Sequence, residues 1–189
     1  MDVEIRRDAD IFLYDAQLDG YSDGDIFATV SGTPAISSNN LRLTSAEIVS
    51  VRAFRNMNVE MYMNIPTAPT AGDDRQFGMK NLNDGNIGRM EFDITGAVFT
   101  ANVYDREGVI IESKVINWDT DWTAEDVRYR ISFSERLVLF TVDDTIVARY
   151  ESGIDHEITA DTELSKRPLC IHITNGNADN INILTVNAV

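Results

Sequence analysis

The chain has 189 residues, 31 acidic and 16 basic, for a formal net charge of −15. A field of that sign repels phosphate backbones and anionic bilayers, so nucleic-acid and membrane-surface functions are disfavoured. Hydrophobic residues make up 43%, enough for a packed core, and the length suits a single domain over 1–189.

Residues 1–8 are mostly charged and lack the apolar centre of a signal peptide. No apolar run approaches the length of a membrane span. The single cysteine, Cys170, has no partner for an intrachain disulfide, so nothing demands an oxidising compartment. The expectation is a chain folded in a cytoplasm, which includes virus proteins made inside a host cell.

Strand-like stretches then recur along the chain. Residues 10–14 precede a turn-rich segment, 19–25, and 40–44 form the next strand. Residues 59–65 alternate cleanly and stop at Pro66. Residues 75–80 lead into an Asn-rich loop, and strands 89–94 and 98–104 flank Thr95-Gly96. Residues 126–148 alternate apolar and polar, break, alternate again, and turn at Asp143-Asp144, which predicts three antiparallel strands. Strands 168–174 and 180–186 close the chain. The helical candidates, 124–126 and 162–164, are only a turn or so long. Many short strands with regular turn signals predict an all-β sandwich or barrel in one domain.

Tyr129, Ile131, Val138, Phe140, Val142 and Asp143 carry a pattern that resembles the concanavalin A-like lectins and glucanases. In that group a Y-x-I strand, a polar loop and V-x-F-x-V-D-G form a strand, a hairpin and the strand after it. The order of the other elements is similar too: strand 40–43, strand 59–65, Phe77-Gly78-Met79-Lys80, and the closing strands from 167 onward. Asp144 stands where the group usually has glycine, and aspartate tolerates the left-handed turn better than most residues. The resemblance implies an antiparallel two-sheet β-sandwich, the concanavalin A-like jelly roll.

The resemblance also focuses attention on Glu91, Asp93 and Gly96. Laminarinase-type glucanases carry Glu-x-Asp-x-x-Glu on one strand, and retaining hydrolysis needs two carboxyl groups about 5 Å apart. Glu91 and Asp93 match the first two positions, while Gly96 replaces the second Glu and cannot carry a proton. The simpler reading is a strand with Met90, Phe92 and Ile94 buried and Arg89, Glu91 and Asp93 on its wet face. His172 alternates with Ile171 and Ile173 and is expected on a wet face, with Cys170 on the same side. His156 lies in a loop. No third group orients a Cys–His pair for nucleophilic chemistry. Catalysis is not expected.

Asp19, Asp23 and Asp25 form a carboxylate-rich loop that only loosely resembles a calcium site, and loop aspartates are first of all turn formers. Calcium stabilises many members of the resembled group and is the one cofactor that the resemblance admits; no other is expected. For sugar recognition the best residues are Trp118 and Trp122 with Asp119 and Asp121, an aromatic pair flanked by planar polar groups. Alternatively one or both tryptophans cap the open end of the core. Tyr62 and Tyr104 fall on strands with polar neighbours.

The leading functional expectation is a non-catalytic interaction or structural module of the kind used for decoration or adhesion on phage and virus surfaces. Its partner would be an assembly protein or a second copy of the chain. The alternative is a lectin-like, carbohydrate-binding module with a glycan partner. A glycan hydrolase with a non-standard acid is the third reading.

Overall fold

The structure, a computed structural model, describes residues 12–54, 58–81, 89–104, 108–134, 137–151 and 169–188, together with the backbone of 4–5. Two sheets of eight strands face each other. Sheet A holds β1 (Glu4–Ile5), β3 (Phe27–Ser31), β6 (Ala46–Phe54), β8 (Asp74–Lys80), β9 (Arg89–Thr95), β10 (Val98–Tyr104), β11 (Ile110–Ile116) and β15 (Leu169–Asn175). Sheet B holds β2 (Phe12–Asp15), β4 (Ala35–Ser37), β5 (Asn40–Leu43), β7 (Asn58–Asn64), β12 (Val127–Ser134), β13 (Leu137–Val142), β14 (Thr145–Glu151) and β16 (Ile181–Ala188). The order across sheet A is β1-β6-β15-β8-β9-β10-β11, with β3 also on β6. Across sheet B it is β14-β13-β12-β7-β16-β5-β4, with β2 also on β16. All pairings are antiparallel except the short β1, which lies parallel to β6.

The alternation in the sequence explains the core. On β12, Val127, Tyr129, Ile131 and Phe133 are buried, while Arg128, Arg130 and Ser132 are half-exposed. The β13–β14 hairpin turns at Asp143 and Asp144, with φ of 43° and 65°, the left-handed pair that a tight hairpin requires. Between the sheets Phe92 stacks on Phe77 at 5.3 Å and meets Phe140 edge-on at 5.1 Å, and Tyr129 closes the group at 4.9 Å from Phe77. Such aromatic pairs add to stability beyond the area they bury.

An ionic cluster closes one end of the sandwich. Arg75 is fully buried, facing Ile94 and Asn175 across its neighbouring strands. Its guanidinium sits 3.2 Å from Asp73 Oδ2 and donates to Thr67 Oγ1 at 2.8 Å. Asp73 also accepts from Thr70 N at 2.9 Å and from Asn177 Nδ2 at 2.7 Å, which ties two loops to β8.

Among the described residues, helix is confined to α1 (Ala16–Asp19) and a 3-10 turn, Thr120–Thr123. Residues 124–126 are not helical. The turn forms just before them because the Asp119 carboxylate accepts from Asp121 N at 3.1 Å and caps it there. The other helical candidate, 162–164, lies outside the described residues, as does His156.

Candidate active site

Strand β9 carries two carboxylates on the outer face of sheet A, and its register places them against their neighbours. One row crosses the sheet as His172, Gly78, Glu91, Asn102 and Ser113. The next runs Thr174, Gln76, Asp93, Thr100 and Val115. In a third, Asp74 lies opposite Thr95, and Thr95 opposite Val98.

Glu91 is not on a wet face. It is 0% exposed, and β9 reads buried at Met90, Glu91 and Phe92 in succession. His172 Nε2 stands 3.2 Å from one Glu91 oxygen, and Arg89 Nε 3.3 Å from the other. The Arg89 guanidinium in turn lies 4.0 Å over the Tyr104 ring. The His172 and Arg89 contacts are at ion-pair range but off the axis of a linear hydrogen bond. His172 is therefore buried too, against expectation, because a carboxylate two strands away draws it flat across the sheet. The strand between them makes this approach open, since Gly78 puts no side chain in the row. A Cβ there would fall 2.2 Å from Met90 O and 2.7 Å from Glu91 Cα.

Burial pushes the Glu91 carboxyl up, but His172, Arg89 and Tyr104 outweigh it and hold the group below its ordinary value. Burial pushes His172 down against the pull of Glu91. A charge on His172 would help Glu91, and burial disfavours that charge. Arg89 and Tyr104 support the anion without it, so Glu91 is the ionised member and His172 the neutral one. Beside them burial pushes the Cys170 thiol up to about 12, so it is no nucleophile at neutral pH.

Asp93 is half-buried and differently placed. Its carboxylate accepts from Thr95 Oγ1 at 2.6 Å and from Asn102 Nδ2 at 3.3 Å, and Ser113 Oγ in turn donates to Asn102 Oδ1 at 2.7 Å. Burial raises its pKa, and the nearby Glu91 charge adds to this, while Thr95 and Gln76 pull the other way. Gln76, opposite Asp93 in the register, donates its amide to Asp74 Oδ1 at 2.6 Å. Asp74 is exposed on the same face. It thus stands one strand over from Thr95, beside the end of β9 where the second glutamate of the resembled motif is missing. Gly96 itself takes a turn at φ 59°. The sequence pattern could not show Asp74, because only the β8–β9 register brings it there.

The tryptophan segment divides between two depressions. Trp122, Asp119 and Asp121 line a groove of about 660 Å³ with Lys114, Asn117 and Glu125. Trp118 lines a smaller one of about 280 Å³ with Pro69, Val98 and Phe99. Both tryptophans also pack on the core, with ring centres 5.7 Å and 6.3 Å from Phe99 and 5.5 Å from each other. The acidic loop is spent on its own backbone: Asp19 Oδ2 accepts from Asp15 N at 2.7 Å and Asp23 Oδ1 from Thr29 N at 2.6 Å. Asp25 is exposed nearby. Among the described residues no three acidic, histidine or cysteine side chains gather into a metal-binding group.

No family model and no curated protein matches the sequence. Solved structures do match in fold. A prokaryotic β-1,3-1,4-glucanase (lichenase) from a mouse hindgut metagenome superposes with a TM-score of 0.71 at 13% identity, over 94% of this chain and 98% of that one. A glycoside hydrolase family 16 endo-glucanase from Bacteroides ovatus gives 0.70 at 13% identity, over 94% and 99%. The Crh5 transglycosylase gives 0.71 at 12% identity, over 94% and 83%. The chain is a concanavalin A-like jelly-roll sandwich.

This jelly roll shares nearly its whole length with enzymes that act on glycans. That overturns the expectation of a non-catalytic decoration or adhesion module, and with it the reading that the chain is no enzyme. Along β9 alone Gly96 leaves the carboxylate set short; across the sheet Asp74 of β8 lies on the same outer face, opposite Thr95.

Proposed function

We propose that this jelly roll is a glycan-active enzyme that cleaves or transfers a glycosidic bond on the outer face of sheet A, with Asp93 and Asp74 as its two carboxyl groups. One observation carries the reading: the β8–β9 register sets Gln76 opposite Asp93 on the outer face, and the same Gln76 amide donates to Asp74 Oδ1 at 2.6 Å. Asp74 and Asp93 are diagonal neighbours on one face of the β8–β9 pair, with backbones about 7–8 Å apart and side chains within reach of each other. Side chains that lean together from there reach the spacing of a retaining pair, about 5–5.5 Å, whereas an inverting pair needs room for a water between its members.

The environments divide the roles. Asp93, whose pKa burial raises, is the better suited of the two to act as the acid. Asp74, open to solvent, acts as the nucleophile. Asp93 gives its proton to the glycosidic oxygen as the C1–O bond breaks, and an Asp74 oxygen bonds to C1. Water or a sugar hydroxyl then attacks C1, Asp93 takes its proton, and the Asp74 ester breaks to restore both groups. Glu91 is sealed from substrate by His172, Arg89 and Tyr104. It is a positioning residue, whose fixed charge helps Asp93 keep its proton.

The test is release of new reducing ends from a panel of neutral polysaccharides by the parent chain, Asp93→Asn and Asp74→Asn. The expected loss is at least about 100-fold in either variant. Full turnover in both variants, or no turnover by the parent on any glycan, would overturn the proposal.

A further inference from the structure

The two depressions around the tryptophans adjoin each other. Val115, Ile116 and Asn117, at the end of β11, line both. The smaller one also reaches the carboxylate face, since its Val98 lies opposite Thr95, which lies opposite Asp74. Its Val115 lies opposite Thr100, which lies opposite Asp93. A continuous path therefore leads from the carboxylate pair, over Val98 and Val115, past Trp118, and round the edge strand β11 to Trp122. It crosses an edge of sheet A, because among the described residues no further strand pairs beyond β11.

The lining suits a sugar chain. Val98 and Val115 are exposed apolar side chains beside Trp118 and offer flat contact to the C–H face of a pyranose ring. Beyond them, Trp122 stands among Asn117, Asp119, Asp121 and Glu125, planar polar groups that accept hydroxyl hydrogen bonds. Four carboxylates, Asp119, Asp121, Glu125 and Asp143, face one lysine, Lys114, in this groove. Uronate or sulfate groups would meet repulsion there.

We propose that this path is an extended binding track for the distal part of a neutral polysaccharide, with Trp118 as its near station and Trp122 as its far one. The track rests on the outer face of sheet A being the site of glycan chemistry. It makes the protein a reader of long chains: a glycan that spans both tryptophans binds better than one confined to the carboxylate pair. The aromatic contact at Trp122 is worth about tenfold in affinity.

The experiment compares short and long mixed-linkage β-gluco-oligosaccharides. Their affinities are measured by calorimetry on Asp93→Asn protein, and polysaccharide turnover is measured on the parent. Trp122→Ala and Trp122→Phe are added to each background, with thermal melting to confirm folding. In the parent site the long chain should bind better than the short one. Trp122→Ala should shrink that advantage about tenfold, and Trp122→Phe should restore most of it. An unchanged ratio in a folded Trp122→Ala protein, with polysaccharide turnover intact in the parent, overturns the track alone. Preference for a uronate-bearing oligosaccharide of equal length also overturns it. Absence of both binding and turnover overturns the track together with the function beneath it.

Discussion

Gly78→Ala is the sharpest perturbation of the arrangement around Glu91. The added Cβ lands 2.2 Å from Met90 O, 2.7 Å from Glu91 Cα and 3.0 Å from Ile131 Cδ1. Only the last can turn aside, because the first two belong to the β9 backbone. Relief therefore requires β9 to move away from β8, which loosens the ladder between them and the row that joins His172 to Glu91. Overpacking of a core costs about 1–3 kcal/mol, and two backbone collisions put this one at the upper end, about 3 kcal/mol. For a chain of this size that is a fall of about 6–12 °C in Tm. The shift should appear equally in the urea midpoint and in the melting curve. Any turnover should fall as well, since Asp93 rides on the displaced strand. A change within about 0.5 kcal/mol would refute the claim that the β8–β9 ladder leaves no room for a side chain at 78.

Stability should depend on acid in two stages. His172 is held neutral by burial, so its contribution is full above the ordinary histidine value of 6.5 and is lost as the pH falls toward its lowered folded value. Glu91 is also lowered, so its contribution is full above 4.5 and is lost as the pH falls through its folded value. A urea midpoint that declines between pH 7 and 5 in the parent, and declines less in His172→Gln, is the expected result; parallel curves would count against it. Thr95→Val removes a donor that lowers the Asp93 pKa, so the alkaline limb of kcat/KM against pH should move upward. An unmoved limb would take Asp93 out of the acid role. Asp73→Ala strands the buried Arg75 guanidinium and should cost about 3–5 kcal/mol by chemical denaturation, against near neutrality if the pair were solvated.

How far the sequence could be read depended on whether a residue's setting was local. Residues 126–148 lie on a half-wet sheet, so their alternation survives intact and the hairpin at Asp143-Asp144 was legible. Strand β6 escaped notice because it is packed on both sides and bulged, with Ile48, Val49 and Ser50 buried in succession. Strand β11 escaped it for the opposite reason: Ile110, Ile111 and Val115 are exposed on an edge, and their apolar run has no period. Glu91 and Asp93 were found as a pair on one strand. Their different fates were not, because the burial of Glu91 comes from His172, whose place two strands away is a matter of topology. Asp74 is the clearest case. Nothing in the local run Asp73-Asp74-Arg75 separates the aspartate that pins a buried arginine from the one beside Thr95; only the β8–β9 register does so.

The most direct test of the account is to trap the covalent intermediate. A 2-fluoro aryl glycoside of a β-glucan disaccharide, incubated with the parent chain and followed by peptide mapping, should leave its sugar esterified to Asp74. An ester on Glu91 would contradict the account, because it would mean that the buried carboxylate opens to substrate and that β9 alone supplies the nucleophile.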